Sequence, residues 1–405
     1  MSERSGEFAV AILGAGAAGA SLAAVLARQG LKTALIEPRV PQERGFRAEK
    51  FTPAQWARIG DLGLQQALLP ILTHEASVWI ARRGRLIDKC ASNNRNYRYP
   101  ALVSALRKEA LAQGPLEFMP RRAVEIIAGP DRQAIRLDDG RLVTARLAVI
   151  AMGVGGLPPK ELGFERRLVF ASHSVSIGFD LLPLGRKSFA FPALTYHGER
   201  PADRVAYLSL FPIENFMRGN LFVYRCLNDP WLKAIHAAPD AALRKIMPGL
   251  GPLIGDFAAS EPVALRQVDL FRAENVRRPG VVLIGDSFGT ACPASGSGLD
   301  TVFSDVARLV DHLPHWLATP GMGAEKIARF YDDPQKIAAD AGSLARSRFL
   351  REMTIQPGLR WRMRRDIGFI AQAARGKLRA AIASGAIREA ETGAPPKKAW
   401  KSLTF

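Results

Sequence analysis

Cysteine is scarce in this chain. Cys90, Cys226 and Cys292 are three residues in 405, widely spaced, so neither a disulfide framework nor a metal knuckle is expected. Histidine is also sparse. His74, His197, His236, His312 and His315 do not fall at metal-ligand spacing, and no metal is assigned. Long hydrophobic runs are missing: stretches such as Phe8 to Leu13 and Val281 to Ile284 are strand-sized, well short of the roughly 18 to 20 residues of a bilayer span. No Gly-x-Ser-x-Gly nucleophile elbow occurs. The segment Met1 to Glu7 leads into glycines instead of a cleavage site. A signal peptide is therefore not expected, and the location expected is cytoplasmic, with peripheral attachment at a membrane as the alternative. Acidic charge is in deficit, since 56 Lys and Arg face 38 Asp and Glu for a net +18. The surplus is uneven: Arg346 to Arg388 holds eleven basic residues against Glu352 and Asp366. What is present, 48% apolar and 23% charged residues, is ordinary globular composition with material for a sizeable core.

Phe8-Ala9-Val10-Ala11-Ile12-Leu13 reads as a strand buried on both faces, and Gly14-Ala15-Gly16-Ala17-Ala18-Gly19 follows it at once. A helix with a small-residue face (Ala20, Ala23, Ala24, Ala27) comes next. Gly30 stops it, and Lys32 to Ile36 forms a second strand ending at Glu37. In such a strand-helix-strand unit Gly14 lets the chain turn, Gly16 admits a pyrophosphate against bare backbone, and Gly19 lets helix and strand approach closely. Ala17 and Ala18 open the helix, whose free N–H groups would face the phosphates. Glu37 is placed to accept from a ribose. The unit predicts an adenine dinucleotide, FAD or NAD.

A second buried strand, Val281 to Ile284, runs into Gly285-Asp286-Ser287-Phe288-Gly289-Thr290-Ala291-Cys292-Pro293-Ala294-Ser295-Gly296-Ser297-Gly298. A helix follows with Leu299, Val302, Phe303, Val306, Leu309 and Val310 at helical spacing. Gly-Asp, then Pro, then Gly-x-Gly opening a helix resembles the C-terminal FAD signature of the flavoprotein aromatic hydroxylases, monooxygenases of the para-hydroxybenzoate hydroxylase fold. Arg47 in Phe46-Arg47-Ala48-Glu49 matches the arginine with which that family reaches the flavin. The resemblance covers residues 7 to 330. It implies that Gly285 and Asp286 hold the ribityl side, with Asp286 accepting from a hydroxyl. Pro293 would wall the flavin ring, and the backbone of Gly296, Ser297, Gly298 and Leu299 would favour negative charge on the reduced flavin.

The chain departs from that family at four points. Gly289 stands where the family usually has His, and Asp300 where it has Asn, an acid expected at the flavin end of the site. Tyr99 replaces an arginine ahead of the helix Leu102 to Ala112, with Arg98 beside it as a substitute. Met152, in Ala148-Val149-Ile150-Ala151-Met152-Gly153-Val154-Gly155-Gly156-Leu157-Pro158, replaces the aspartate of an Asp-Gly pair linked to FAD and NAD(P)H. Direct reduction by a nicotinamide is weakened by that change, and a separate reductase becomes an alternative source of electrons. The tandem tryptophans of halogenases are missing.

Between the two glycine motifs, Ala171 to Leu182, Ser188 to Tyr196, Arg204 to Phe211 and Leu221 to Leu227 read as antiparallel strands, joined by a hairpin over Ala76 to Cys90 and followed by a helix from about Asp229 to Met247. The fold class expected is α/β: a Rossmann-like FAD-binding domain (1–72, 98–170, 276–330), a discontinuous antiparallel-sheet substrate domain (73–97, 171–275) and a basic helical C-terminal segment (331–405). Substrate would lie between sheet and flavin. His173, Tyr196, Tyr207 and Tyr224 are the candidates there for handling a phenol proton. The activity the resemblance implies is FAD-dependent oxygenation. NADH or NADPH would supply electrons, directly or through a reductase, and one oxygen atom of O₂ would enter an electron-rich aromatic or enolic ring through a peroxyflavin. The alternatives are a double-bond reductase acting on prenyl-type substrates and, further off, an RNA-binding flavoprotein drawn by the basic tail. The substrate expected is a hydrophobic ring, free or tethered to a carrier. The partners considered are an acidic carrier protein, a reductase or an anionic membrane surface.

Overall fold

The computed structural model describes residues 7–39, 47–112, 114–155 and 162–392. The N-terminal segment through Gly6, Phe46, the run Gly156-Leu157-Pro158 and the side chain of Arg388 lie outside the described residues.

The first apolar run is β1 (Phe8–Leu13), followed by α1 (Ala17–Arg28) and β2 (Thr33–Ile36). Gly14 turns with φ near +100°, and a Cβ on Gly19 would stand 1.9 Å from the Gly14 carbonyl oxygen. Helix and strand come this close only because neither glycine has a side chain. Next are β3 (Ala48–Phe51), α2 (Pro53–Asp61), α3 (Gln65–Leu68), the hairpin strands β4 (Thr73–Arg82) and β5 (Arg85–Arg98), and α4 (Tyr99–Leu111). α2 opens with a capping box in which Thr52 and Gln55 satisfy each other's backbone N–H groups. β6 (Leu116–Met119), β7 (Ala123–Ile127), β8 (Gln133–Leu137) and β9 (Leu142–Ile150) complete the first half.

The second half begins with β10 (Glu165–Pro183), β11 (Leu194–His197), β12 (Val205–Ile213) and β13 (Phe216–Val223). Two short helices, α5 (Pro230–Ala237) and α6 (Pro239–Ile246), stand where one helix was expected, and α7 (Leu250–Ile254) follows them. Pro239 disfavours helical backbone at Ala238 and breaks it. Then come β14 (Phe257–Glu274), β15 (Val281–Leu283), α8 (Gly298–Ala318), α9 (Ala324–Tyr331), α10 (Pro334–Ile355) and α11 (Leu359–Thr392). β14 was not anticipated. Pro262 interrupts its run of strand-forming residues, and only pairing along most of β10 makes it continuous.

Two sheets result. In the first, β6, β2, β1, β9 and β15 pair in parallel, and the β7–β8 hairpin lies against the start of β9. The second runs β14-β10-β13-β12-β11-β4-β5-β3 and is antiparallel except for the parallel pair β11–β4, so the expected antiparallel sheet is mixed at that point. The strand expected over Ser188 to Tyr196 is confined to Leu194–His197. The early strand β3 joins this second sheet through β5.

A buried ion pair ties the C-terminal helices to the first sheet. Lys336 of α10 lies 2.6 Å from Asp305 of α8 and 3.4 Å from Asp340, and Asp305 also accepts from the Gly285 N–H at 2.8 Å. Both partners are almost fully buried, with the Lys336 ammonium 4.0 Å from the centre of the Phe288 ring. Removing one partner would strand a charge in the core. Lys336→Met is accordingly expected to lower unfolding free energy by about 3 to 5 kcal/mol in urea denaturation; a loss below about 1 kcal/mol would show that the pair is not a structural tie.

Candidate active site

The loops at the carboxyl ends of the parallel strands converge on one region. Gly16 is the N-cap of α1 with φ −75°, and a Cβ added there would meet only the Tyr99 hydroxyl, 3.4 Å away. Bare backbone therefore faces open space at the helix N-terminus, as a phosphate cradle requires. Ala17 and Ala18 form the first turn. The Glu37 carboxylate sits below it, accepting from the Ala15 N–H at 3.1 Å and from Arg39 at 2.9 Å. Burial raises the Glu37 pKa, but those hydrogen bonds overcome it and hold the group below the usual range.

Tyr99 occupies the arginine's place differently from a cation. Its hydroxyl accepts from the Ala17 N–H at 3.3 Å, and the Arg47 guanidinium lies 4.2 Å from its ring centre. Arg98, the expected substitute, stacks on Phe216 instead, 5.1 Å from that ring centre. Positive charge beside the cradle comes from Arg107, which donates to the Ala15 carbonyl at 2.8 Å, and from Arg47. Burial works against the Arg47 charge, yet Glu49, Tyr99 and Asp286 together raise its pKa.

The second glycine motif forms two short 3₁₀ turns, Gly285–Ser287 and Pro293–Ser295, before α8 begins. Gly296 has φ +66°, and a Cβ on either Gly296 or Gly298 would find nothing within 4 Å. This backbone is held from behind. The Gln55 amide donates to the Gly296 carbonyl at 3.0 Å, while the Ser297 hydroxyl bonds Ser295 and, at 2.8 Å, Ser343 of α10. The Ser297 side chain is thus turned away from the cavity. Only its backbone is available to a ligand. Asp300 does not face the flavin end: its carboxylate pairs with Arg346 at 3.3 Å. Gly289 continues the loop, bridging to Arg272 of β14.

Between this loop and the second sheet lies a cavity of about 760 Å³. Arg47, Asp286, Pro293, Gly296, Gly298 and Leu299 line one side. The opposite side is the sheet, where register decides the lining: Tyr207 pairs with Phe222, Ser209 with Asn220 and with Thr195, and Ser176 with Arg266. All of these line the cavity, and Phe211 lies one step further along β12. Burial raises the pKa of Asp286, against the opposing pull of Arg47 and Arg266.

Of the four candidates for proton handling, Tyr207 alone lines the cavity, and its hydroxyl donates to the Ala294 carbonyl at 2.7 Å. His173, Tyr196 and Tyr224 lie outside the lining. Tyr196 is buried, donating to Glu199 at 2.6 Å and accepting from the Gly84 N–H. Tyr224 packs beside Cys292. His173 is buried between Phe170 and Tyr224, next to a bulge at Ser172 with φ +47°, and neither ring nitrogen has a partner. Tyr207 named the right row on β12. Its same-face neighbours Ser209 and Phe211 follow by simple alternation, and sequence reasoning passed over both.

A glycine cradle at one helix N-terminus, a second bare-backbone loop and a sheet-covered cavity between them define an adenine-dinucleotide-binding fold with room for a ring system. A family model described as an FAD binding domain matches residues 7–333, and the chain belongs to that family. It is 22% identical to the squalene monooxygenase of Mus musculus over 325 residues, 73% of this chain and 53% of that protein, so it spans about half the length of that relative. Its fold resembles p-nitrophenol 4-monooxygenase PnpA from Pseudomonas putida DLL-E4, with a TM-score of 0.74 and 14% identity over 93% of this chain and 96% of the other. It also resembles P. aeruginosa PqsL in complex with 2-aminobenzoylacetate, with a TM-score of 0.67 and 16% identity over 90% of this chain and 100% of the other. The residues present fit FAD: open backbone at Gly16, Gly296 and Gly298, a half-buried carboxylate at Asp286 and a cation at Arg47.

Gly16→Val is expected to abolish FAD retention while leaving the melting temperature of the apoprotein within a few degrees, because the new side chain meets only a movable phenol in the absence of ligand. A variant that purifies with full flavin would remove Gly16 from the cofactor site. Acid should act elsewhere. Burial holds His173 at a pKa of about 4, below its ordinary value, and His197 likewise, so the unfolded chain protonates first. Stability is then fully retained above about pH 6.5 and falls as pH drops toward 4. Urea midpoints at pH 7 and pH 5 should show a smaller drop for His173→Phe than for the parent protein.

Proposed function

We propose that the protein is an FAD-dependent monooxygenase that inserts one atom of O₂ into an electron-rich aromatic or enolic ring. The balance is ring-H plus O₂ plus NAD(P)H plus H⁺, giving ring-OH, NAD(P)⁺ and water. The observation that carries this reading is the cavity in which the Pro293 to Leu299 loop faces the sheet row of Tyr207, Ser209 and Phe211. FAD, when bound, supplies the redox chemistry of oxygen activation.

The chain's own residues position and shelter. Phe211 and Phe222 offer flat apolar surface to a ring, and Leu299 and Val268 extend it. The Ser209 hydroxyl is buried in the cavity wall with no hydrogen-bond partner, which marks it for a polar atom of the substrate. Tyr207 serves the loop: its donation to Ala294 fixes the turn that begins at Pro293, and burial raises its pKa, so it stays a neutral donor at physiological pH. Among the described residues no histidine lines the cavity. The substrate meets neutral groups at Ser209 and Thr195 and charged ones at Arg266 on the sheet and Asp286 on the loop, while Lys50 pairs with Glu75 and burial lowers its pKa. Met152 packs against the core of the first sheet, where the hydroxylases carry an aspartate, leaving no carboxylate at that point to engage a nicotinamide.

The test is oxygen uptake by the flavin-loaded protein with NADH or NADPH and a panel of hydrophobic phenols, followed by mass spectrometry under ¹⁸O₂. Incorporation of one labelled atom into product supports the reading. Saturation of a double bond without oxygen uptake would replace it with the reductase alternative. Ser209→Ala should raise KM by roughly fivefold to tenfold, the worth of one hydrogen bond, with kcat and FAD content little changed. Without a partner reductase, NADH and NADPH should each bleach the flavin slowly; stopped-flow bleaching at tens per second would show that Met152 does not limit hydride delivery.

A further inference from the structure

α11 spans 34 residues from Leu359, about 50 Å of helix, and has two opposite sides of different character. One side packs on the protein. Phe369 lies edge-on to His197 with ring centres 5.0 Å apart, Arg82 covers the other part of the Phe369 ring, and Gly376 passes so close to Asp88 that a Cβ would collide with its carboxylate. Arg365 is buried, donating to the carbonyls of Met353 and Gln356, and Arg379 pairs with Asp88. Positions 365, 369, 376 and 379 thus face the body.

The opposite side has no such cover. Leu359, Met363, Ile367, Ile370, Leu378 and Ile382 recur at spacings of three, four or eight residues, the period of one helix face, and each is between 52% and 70% exposed. Isolated exposed leucines are normal, but an aligned row from Leu359 to Ile382 is a patch that a monomer in water rarely keeps open. Exposed cations flank it: Arg360, Arg362, Arg364, Arg375 and Lys377, with Asp366 as the sole acid between Gly358 and Ile382. At the elbow with α10, Phe349, Met353, Leu359, Met363 and Ile367 line a shallow apolar groove. No helix among the described residues is long and apolar enough to cross a membrane.

We propose that this face of α11 is a docking surface for a bilayer of anionic phospholipid, with the helix lying in the plane of the interface. Two features select this occupant. Beyond the groove at the elbow the row is the outer surface of a single helix, so it suits a planar phase into which side chains sink, while the arginines beside it reach phosphate oxygens. A second copy of the same face would set arginine against arginine over the length of the helix, which opposes self-pairing. A hydrophobic ring substrate dissolved in that bilayer would then be delivered at the protein's own surface.

The test uses the flavin-loaded full chain pelleted with vesicles of phosphatidylglycerol and phosphatidylcholine mixed, and with phosphatidylcholine alone, at low salt and at salt well above about 0.1 M. Binding is expected to the mixed vesicles only and to weaken at least tenfold at high salt. Ile367→Asp combined with Ile370→Asp, both surface positions, should abolish it with flavin content and melting temperature unchanged. Arg360→Glu combined with Arg375→Glu should abolish it as well. Failure to pellet with anionic vesicles at low salt would overturn the proposal. So would full retention of binding by the Ile367/Ile370 variant, which would reduce the effect to general attraction of a +18 protein. A doubled mass in light scattering without vesicle binding, or capture of an acidic carrier protein in place of vesicles, would assign the face to another occupant and overturn it equally.

Discussion

The approach of Gly19 to the Gly14 carbonyl is the constraint on which the rest of this molecule depends. It lets α1 descend on β1 until the N-terminus of the helix opens directly over the strand ends, where bare backbone can meet a pyrophosphate. A single methyl group at position 19 would lift the helix and close the cradle. Every later element is arranged around that opening: β9 and β15 continue the parallel sheet beside β1, and the second glycine loop leaves β15 next to the first.

The second loop has no comparable steric lock and is held by polar contacts instead. Asp305 secures the Gly285 N–H, Gln55 holds the Gly296 carbonyl, and the hydroxyls of Ser295, Ser297 and Ser343 form a short chain into α10. Because Lys336 neutralises Asp305, the C-terminal helices belong to the cofactor site even though none of their residues lines the cavity. The same helices present basic and apolar residues outward. α10 thus holds the second loop from within, and α11 carries an exposed apolar row on its outer side.

The cavity combines an aromatic wall with a few fixed charges. Its sheet wall offers aromatic surface and neutral hydroxyls; Lys50 is paired with Glu75 and Arg47 with Glu49, while Arg266 of the sheet and Asp286 of the loop add opposite charges that act on each other. The apolar part of such a wall excludes water from a bound ring.

The sequence by itself determined the parts that depend on local backbone geometry. Two buried strands, each running into glycines at stated positions, are legible because a turn with positive φ or a missing Cβ is a property of the residue and its immediate neighbours. For the same reason the turns at Gly14 and Gly296 and the open cradle at Gly16 were readable. Which side chains face the cavity was decided only by tertiary structure. A bulge at Ser172 and the pairing of β12 with β13 and β11 turned Tyr207 and Ser209 toward the cavity, put Tyr196 on the opposite face and left His173 and Tyr224 packed on each other outside the lining, since a one-residue slip exchanges the faces of a strand. Charge partners were equally out of reach. Asp300 turns to Arg346, Arg98 to Phe216, and Arg47 to Tyr99 across gaps of 46, 118 and 52 residues in the chain, because an ion or a ring is satisfied by whatever folding brings within a few ångströms, however far off it lies in sequence.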